Sequence, residues 1–194
     1  SHRRDHAQYD PVGRGLARRL EKELALQGFQ VEMRQVSKAA WHCYLRFPDL
    51  LFQTGLSGHR EEKILIQLDA EAQGFDFQPE RKLLRQFDVF TSVLVPPLSL
   101  LLSHKLAAIF QRPRNKGRDF FDVTFLHPKT KPDYAFLDFK LGISNPAQLK
   151  ERLLEHCKAI DFGEMARDVE AFLFNARDVQ RVLLFGEFVG EVEW

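Results

Sequence analysis

The sequence predicts an α+β fold, strands in the first half and helices in the second, on three observations. Runs of alternating apolar and polar residues, the mark of half-buried strands, recur up to residue 95. Two adjacent prolines, Pro96 and Pro97, then close the last run. Beyond them apolar residues recur at helical spacing. The expected arrangement is a mostly antiparallel or mixed sheet followed by a helical bundle, divided at 1–96 and 97–194.

Leu16, Leu20 and Leu24 fall every fourth position with Arg and Glu between them, and Gly28 follows where a helix should stop, so 15–27 reads as an amphipathic helix. FQVEMRQV and AWHCYLRF alternate and read as strands, joined by a turn. In KILIQLDAE, Ile64, Ile66 and Leu68 point one way while Leu65, Gln67, Asp69 and Glu71 point the other. A fourth strand runs from Phe87 to Val95. Leu98–Gln111 is apolar nearly all round, which predicts a central helix enclosed by protein. Further helices are expected over 117–126, 134–141 and 146–160, the last capped by Ser144 or Asn145. The remainder, with Phe172, Phe174, Phe185 and Phe188, supplies one or two more.

A content of 44% hydrophobic and 28% charged residues excludes the compositional corner where disorder lives. The formal charge of +1 excludes a global field that would attract nucleic acid, so electrostatic arguments rest on local clusters. Cys43 and Cys157 lack the spacing of a zinc site or redox dithiol; both read as packing residues, and a reduced, cytoplasmic setting is expected. The run VLVPPLSLLL is too short and interrupted to span a bilayer, so no membrane is expected as a partner.

Chemistry concentrates in LLLSHKLAAIFQRPRNKGRDFFDVTFL. Burying an unpaired ammonium is costly, so Lys105 on an apolar helix calls for a carboxylate or an anionic ligand, unless its stem merely snorkels to water. Lys105 and Arg112 are seven apart, two helical turns, and Asp119 and Asp122 are three apart, so each pair is expected on one helix face. The string RPRNKGR places four basic residues in seven positions, either an ordinary solvated loop or a basic flap over phosphates.

This segment resembles the AbiEii family of nucleotidyltransferase toxins, in which a helix carrying a lysine in an "LLaeKl.Al" setting precedes an arginine, a short basic loop and an "RDlyDl" helix. Lys105, Arg112, Arg118, Asp119 and Asp122 occupy the matching positions. The resemblance implies a nucleotidyltransferase-like fold, Mg²⁺ as cofactor and an NTP as substrate. It assigns catalytic roles to Lys105, Asp119 and Asp122, and nucleotide binding to Lys105, Arg112 and Arg118. Asp69 fits the family's third metal carboxylate, on a late strand. The family's first motif, a GG or GS turn followed by DxD, does not occur in the sequence. Its "HRxSxDxD" run is matched only by His2, Arg3, Arg4 and Asp5, with Asp5 as first carboxylate and Ala7 where the second belongs, so an N-terminally incomplete nucleotidyltransferase-like part is expected.

The resemblance thus implies transfer of an NMP from an NTP to an RNA acceptor, such as a tRNA, or to a protein, by the toxin of a toxin–antitoxin pair, with an antitoxin as partner. The competing expectation is a non-catalytic module that grips nucleotide, RNA or a partner protein with the same basic helix and loop. A purely structural helical domain is a third, in which Lys105 meets only an internal carboxylate.

Overall fold

A computed structural model describes residues 6–37 and 40–194, with side chains described from residue 13 onward, that of residue 14 excepted. The chain divides into two compact units, residues 1–74 and 75–194. Helices dominate strands and every described strand pairing is antiparallel, an α+β fold.

The first unit carries helix α1 (His6–Leu26), strands β1 (Glu32–Ser37) and β2 (Trp41–Phe47), the short helix α2 (Leu50–Gln53) and strand β3 (Ile64–Ala70). The strands form one sheet in the order β1-β2-β3. Alternation in β2 sends Trp41, Cys43, Leu45 and Phe47 into the core, and the register sets them opposite Ala70, Leu68, Ile66 and Ile64 of β3. The other face of the sheet therefore holds His42, Tyr44, Arg46, Leu65, Gln67 and Asp69. Helix α1 buries Ala17 and packs Leu24 on this core, whereas Leu16 is exposed. Gly13 lies so close to Trp41 that a Cβ there would stand 2.5 Å from the indole nitrogen, so only glycine fits without moving the ring. The helix ends at Gly28, at φ +87°, as expected of a left-handed C-cap.

The second unit opens with a two-stranded hairpin, β4 (Glu80–Gln86) and β5 (Val89–Val95), and continues as helices α3 (Leu98–Gln111), α4 (Gly117–Leu126), α5 (Tyr134–Leu141), α6 (Pro146–Cys157), α7 (Phe162–Glu170), α8 (Gln180–Leu183) and α9 (Phe185–Glu191). The strand expected at 87–95 thus pairs with β4 and not with the three-stranded sheet. ERKLLRQ hides that partner, because two adjacent leucines break the period-two alternation. The core joins Leu102, Leu106 and Ile109 of α3 to Phe120 and Val123 of α4 and to Phe136, Leu149, Met165, Phe185 and Trp194. Asp133, Asn145 and Asp161 cap α5, α6 and α7 by accepting from the backbone N–H three residues on, so the cap of α6 is Asn145 and not Ser144. Among the described residues no helix is long and apolar enough to cross a membrane.

Candidate functional site

Helix α3 starts directly after Pro97 and buries Leu102, Leu106 and Ile109 in the core, and the ammonium of Lys105 reaches helix α4. Lys105 Nζ lies 2.6 Å from Asp122 Oδ2 and 3.7 Å from Asp119 Oδ1. Arg112, the first residue beyond α3, leaves the helix in extended conformation and brings its Nε to 2.7 Å from Asp119 Oδ2. The two cations therefore converge through a shared carboxylate and not along one helix face. Asp119 is 1% exposed, and neither of its oxygens has a hydrogen-bond partner among the described residues, so charge attraction holds it. Lys105 is less deeply placed than its apolar setting suggests, with a third of its side chain exposed.

Helix α4 is fixed to α7 at its first residue. The Gly117 N–H donates to Asp168 Oδ2 at 2.9 Å, and a Cβ on Gly117 would lie 1.9 Å from the Met165 carbonyl oxygen. The basic loop before it is tethered too: Arg114 meets Glu164 at 3.3 Å and Lys116 approaches Asp168 to 3.9 Å. A freely moving basic flap is thereby replaced by a loop laid on α7. Arg118 is exposed and has no ion-pair partner among the described residues.

Asp69 belongs to the first unit. Its cross-strand neighbour is His42, whose Nδ1 lies 2.6 Å from Asp69 Oδ1, and the Gln67 amide donates to both oxygens at 2.9 and 3.0 Å. The Gln67 amide, with His42 next, holds the Asp69 carboxyl below the usual carboxylate range. An ionised carboxylate only accepts, so the His42 proton sits on Nδ1. His42, whose ring stacks on Tyr44, is the contact that sequence reasoning missed. Strand pairing creates it, and only knowledge of the register could have revealed it. Asp5 lies outside the described residues.

The family model described as "Nucleotidyl transferase AbiEii toxin, Type IV TA system" matches residues 14–175. The chain belongs to the AbiEii family. This makes it a member of the nucleotidyltransferase toxins of type IV toxin–antitoxin systems, for which an NTP substrate, a divalent metal and an antitoxin are the implied companions. Comparison with curated proteins and with solved structures gives no match.

The donor set tests the implied metal. A hard divalent cation in a phosphate-transfer site takes oxygen ligands, usually one or two carboxylates together with substrate phosphates and water. Among the described residues no three His, Cys, Asp or Glu side chains gather for such an ion. Asp69 is a single carboxylate whose oxygens already accept from His42 and Gln67. The described residues of this AbiEii chain do not make up a metal site by themselves.

Proposed function

We infer that the cluster of Lys105, Arg112, Arg118, Asp119 and Asp122 binds the triphosphate of an NTP and stabilises the departing pyrophosphate while the NMP passes to an acceptor. The observation that carries this reading is the shared, buried Asp119, which holds two partly exposed cations together by charge. An ammonium has three donors; Asp122 takes one of those on Lys105 at 2.6 Å, and Asp119 at 3.7 Å contributes charge attraction only. Arg112 engages Asp119 through Nε, which leaves the Nη groups for bidentate contact with phosphate. Such preorganised donors gain strength as negative charge builds on the leaving group, the condition for rate acceleration in phosphoryl and nucleotidyl transfer. Asp119 acts as the positioning residue, and Asp122 holds Lys105 or receives the acceptor hydroxyl's proton. Asp69 supplies one carboxylate of the expected metal set.

Lys105 and Arg112 are balanced by Asp119 and Asp122, so the ion-paired cluster carries no excess positive charge of its own, and Arg118, exposed at the start of α4, is the further cation assigned to it. Bare NTP affinity is therefore modest and salt-sensitive. Equilibrium binding of a labelled NTP tests the assignment. Lys105→Ala and Arg112→Ala should each weaken it about tenfold or more, from the loss of a charge-assisted contact, whereas the surface change Lys158→Ala should not. Equal binding by all three variants rejects the cluster as the nucleotide site.

A second reading is a module that grips nucleotide without turnover; among the described residues Asp69 is a lone carboxylate, with no gathered donor set around it. It predicts the same binding losses and no transfer of label to RNA or protein.

A further inference from the structure

The hairpin β4–β5 presents two chemically different faces. Pairing of Arg81 with Leu94, Leu83 with Ser92 and Arg85 with Phe90 puts these six residues on one face. The opposite face carries Leu84, Val89, Thr91 and Val93, with Glu80 and Lys82 neutralising one another at 2.7 Å. Exposure follows the same division: Leu83, Phe90 and Leu94 are 62–72% exposed, whereas Leu84, Val89 and Val93 are 37–45% exposed. The first face is thus the outer one. It is basic as well as apolar, with two arginines and no carboxylate; Asp88 sits in the turn.

The turn itself adds an independent observation. Gln86 pairs with Val89, so the loop is the two residues Phe87 and Asp88. Phe87 takes φ +52°, a conformation that such loops normally assign to glycine or asparagine and that strains a bulky residue. Its ring is 96% exposed, so packing among the described residues does not compensate for the strain.

We propose that the outer face of this hairpin, with Arg81 and Arg85 as phosphate contacts and Phe87 and Phe90 as stacking platforms, binds an unpaired stretch of RNA. Sequence-tolerant single-strand binding combines cations that track the backbone with aromatic rings that meet the bases, and this ribbon carries both. Arg81 and Arg85 are four residues apart on one strand, about 13 Å. Arg81 is steadied by its 3.0 Å bond to Ser92 Oγ, and Arg85 stands beside Phe90. A second copy of the chain is a poor occupant, because a twofold pairing of this face brings four arginines together with no carboxylate of the face to balance them. As an explanation of why RNA comes to this chain, the proposal rests on the transfer reading above; the binding itself does not.

The test is fluorescence anisotropy of a labelled, unstructured, pyrimidine-rich RNA oligonucleotide with the full chain and no NTP, so failure of nucleotidyl transfer leaves its outcome unaffected. The double variant Arg81→Ala and Arg85→Ala should bind at least tenfold more weakly, with a log–log salt dependence shallower by about 1.4. Phe90→Ser should lose about tenfold. Phe87→Gly should weaken binding while holding or raising the melting temperature, a combination that loss of a structural role does not produce. This variant carries the test if the arginine pair variant fails to fold. Undiminished binding by Phe87→Gly and Phe90→Ser overturns the proposal. So does competition by polyglutamate as effective as that by unlabelled RNA, which identifies an acidic protein as the occupant.

Discussion

Lys105 Nζ stands 2.6 Å from Asp122 Oδ2 while Asp119, one helical turn earlier, reaches the same ammonium from 3.7 Å. One carboxylate is a third exposed and the other sealed from water, so the lysine lies between an inner carboxylate and an outer, accessible one. In the function proposed above, an incoming phosphate takes the outer partner's place while the inner one keeps the ammonium aimed.

This division predicts a measurable coupling. Removing one partner of a buried pair leaves the other uncompensated, a cost reduced in this pair because Lys105 is partly exposed and Arg112 remains beside Asp119. Lys105→Met should lower unfolding free energy by about 1–3 kcal/mol in urea titrations. In an Asp119→Asn background the same change should cost about 1 kcal/mol less. Strict additivity contradicts the shared-anchor account.

Gly117→Ala should be among the most damaging small changes. The added Cβ meets backbone, the Met165 carbonyl, which cannot swing away as a side chain can. Overpacking of this kind costs about 3 kcal/mol. Trp194 is buried in the second unit's core and Trp41 in the first, so fluorescence in a Trp41→Phe background follows the second unit alone. An unchanged unfolding midpoint shows that α4 and α7 are not clamped as described.

Acid should loosen the second unit before the usual carboxylate range is reached. Burial holds His104, His127 and His156 below the ordinary histidine range, with Lys140 and Lys105 adding to the effect at His104. Each contributes stability that is fully present above the unfolded value, about 6.5, and is lost as pH falls through its folded value. Melting temperature reported by Trp194 should decline from pH 7 towards 5. His104→Phe, which keeps a ring against Phe136, should flatten part of that decline. A flat profile over this range rejects the assignment.

Asp69 should titrate below an ordinary aspartate by carboxyl-detected NMR, and Gln67→Ala and His42→Ala should each bring it upward. Absence of movement in both variants shows that the cross-strand contacts do not form in solution.

The helices of the second unit were legible because their apolar spacing, caps and prolines act locally: Leu98–Gln111, Gly117–Leu126 and Tyr134–Leu141 begin and end where the sequence signals place them. Lys105 was legible for a related reason, since an ammonium among leucines demands a partner. What escaped depends on pairing. Leu83 and Leu84 side by side mask strand β4, and the neighbours of Asp69 and Phe90 follow from register, which alternation alone does not fix. The path of Arg112 was hidden as well, because it turns on where α3 stops.

The most direct test of the central claim is transfer of radiolabel from an NTP, with Mg²⁺, to total RNA or protein, comparing the unaltered protein with Lys105→Ala and the Lys158→Ala control. The account predicts a labelled acceptor with the unaltered protein and the control, and none with Lys105→Ala. Label transferred equally by Lys105→Ala contradicts it.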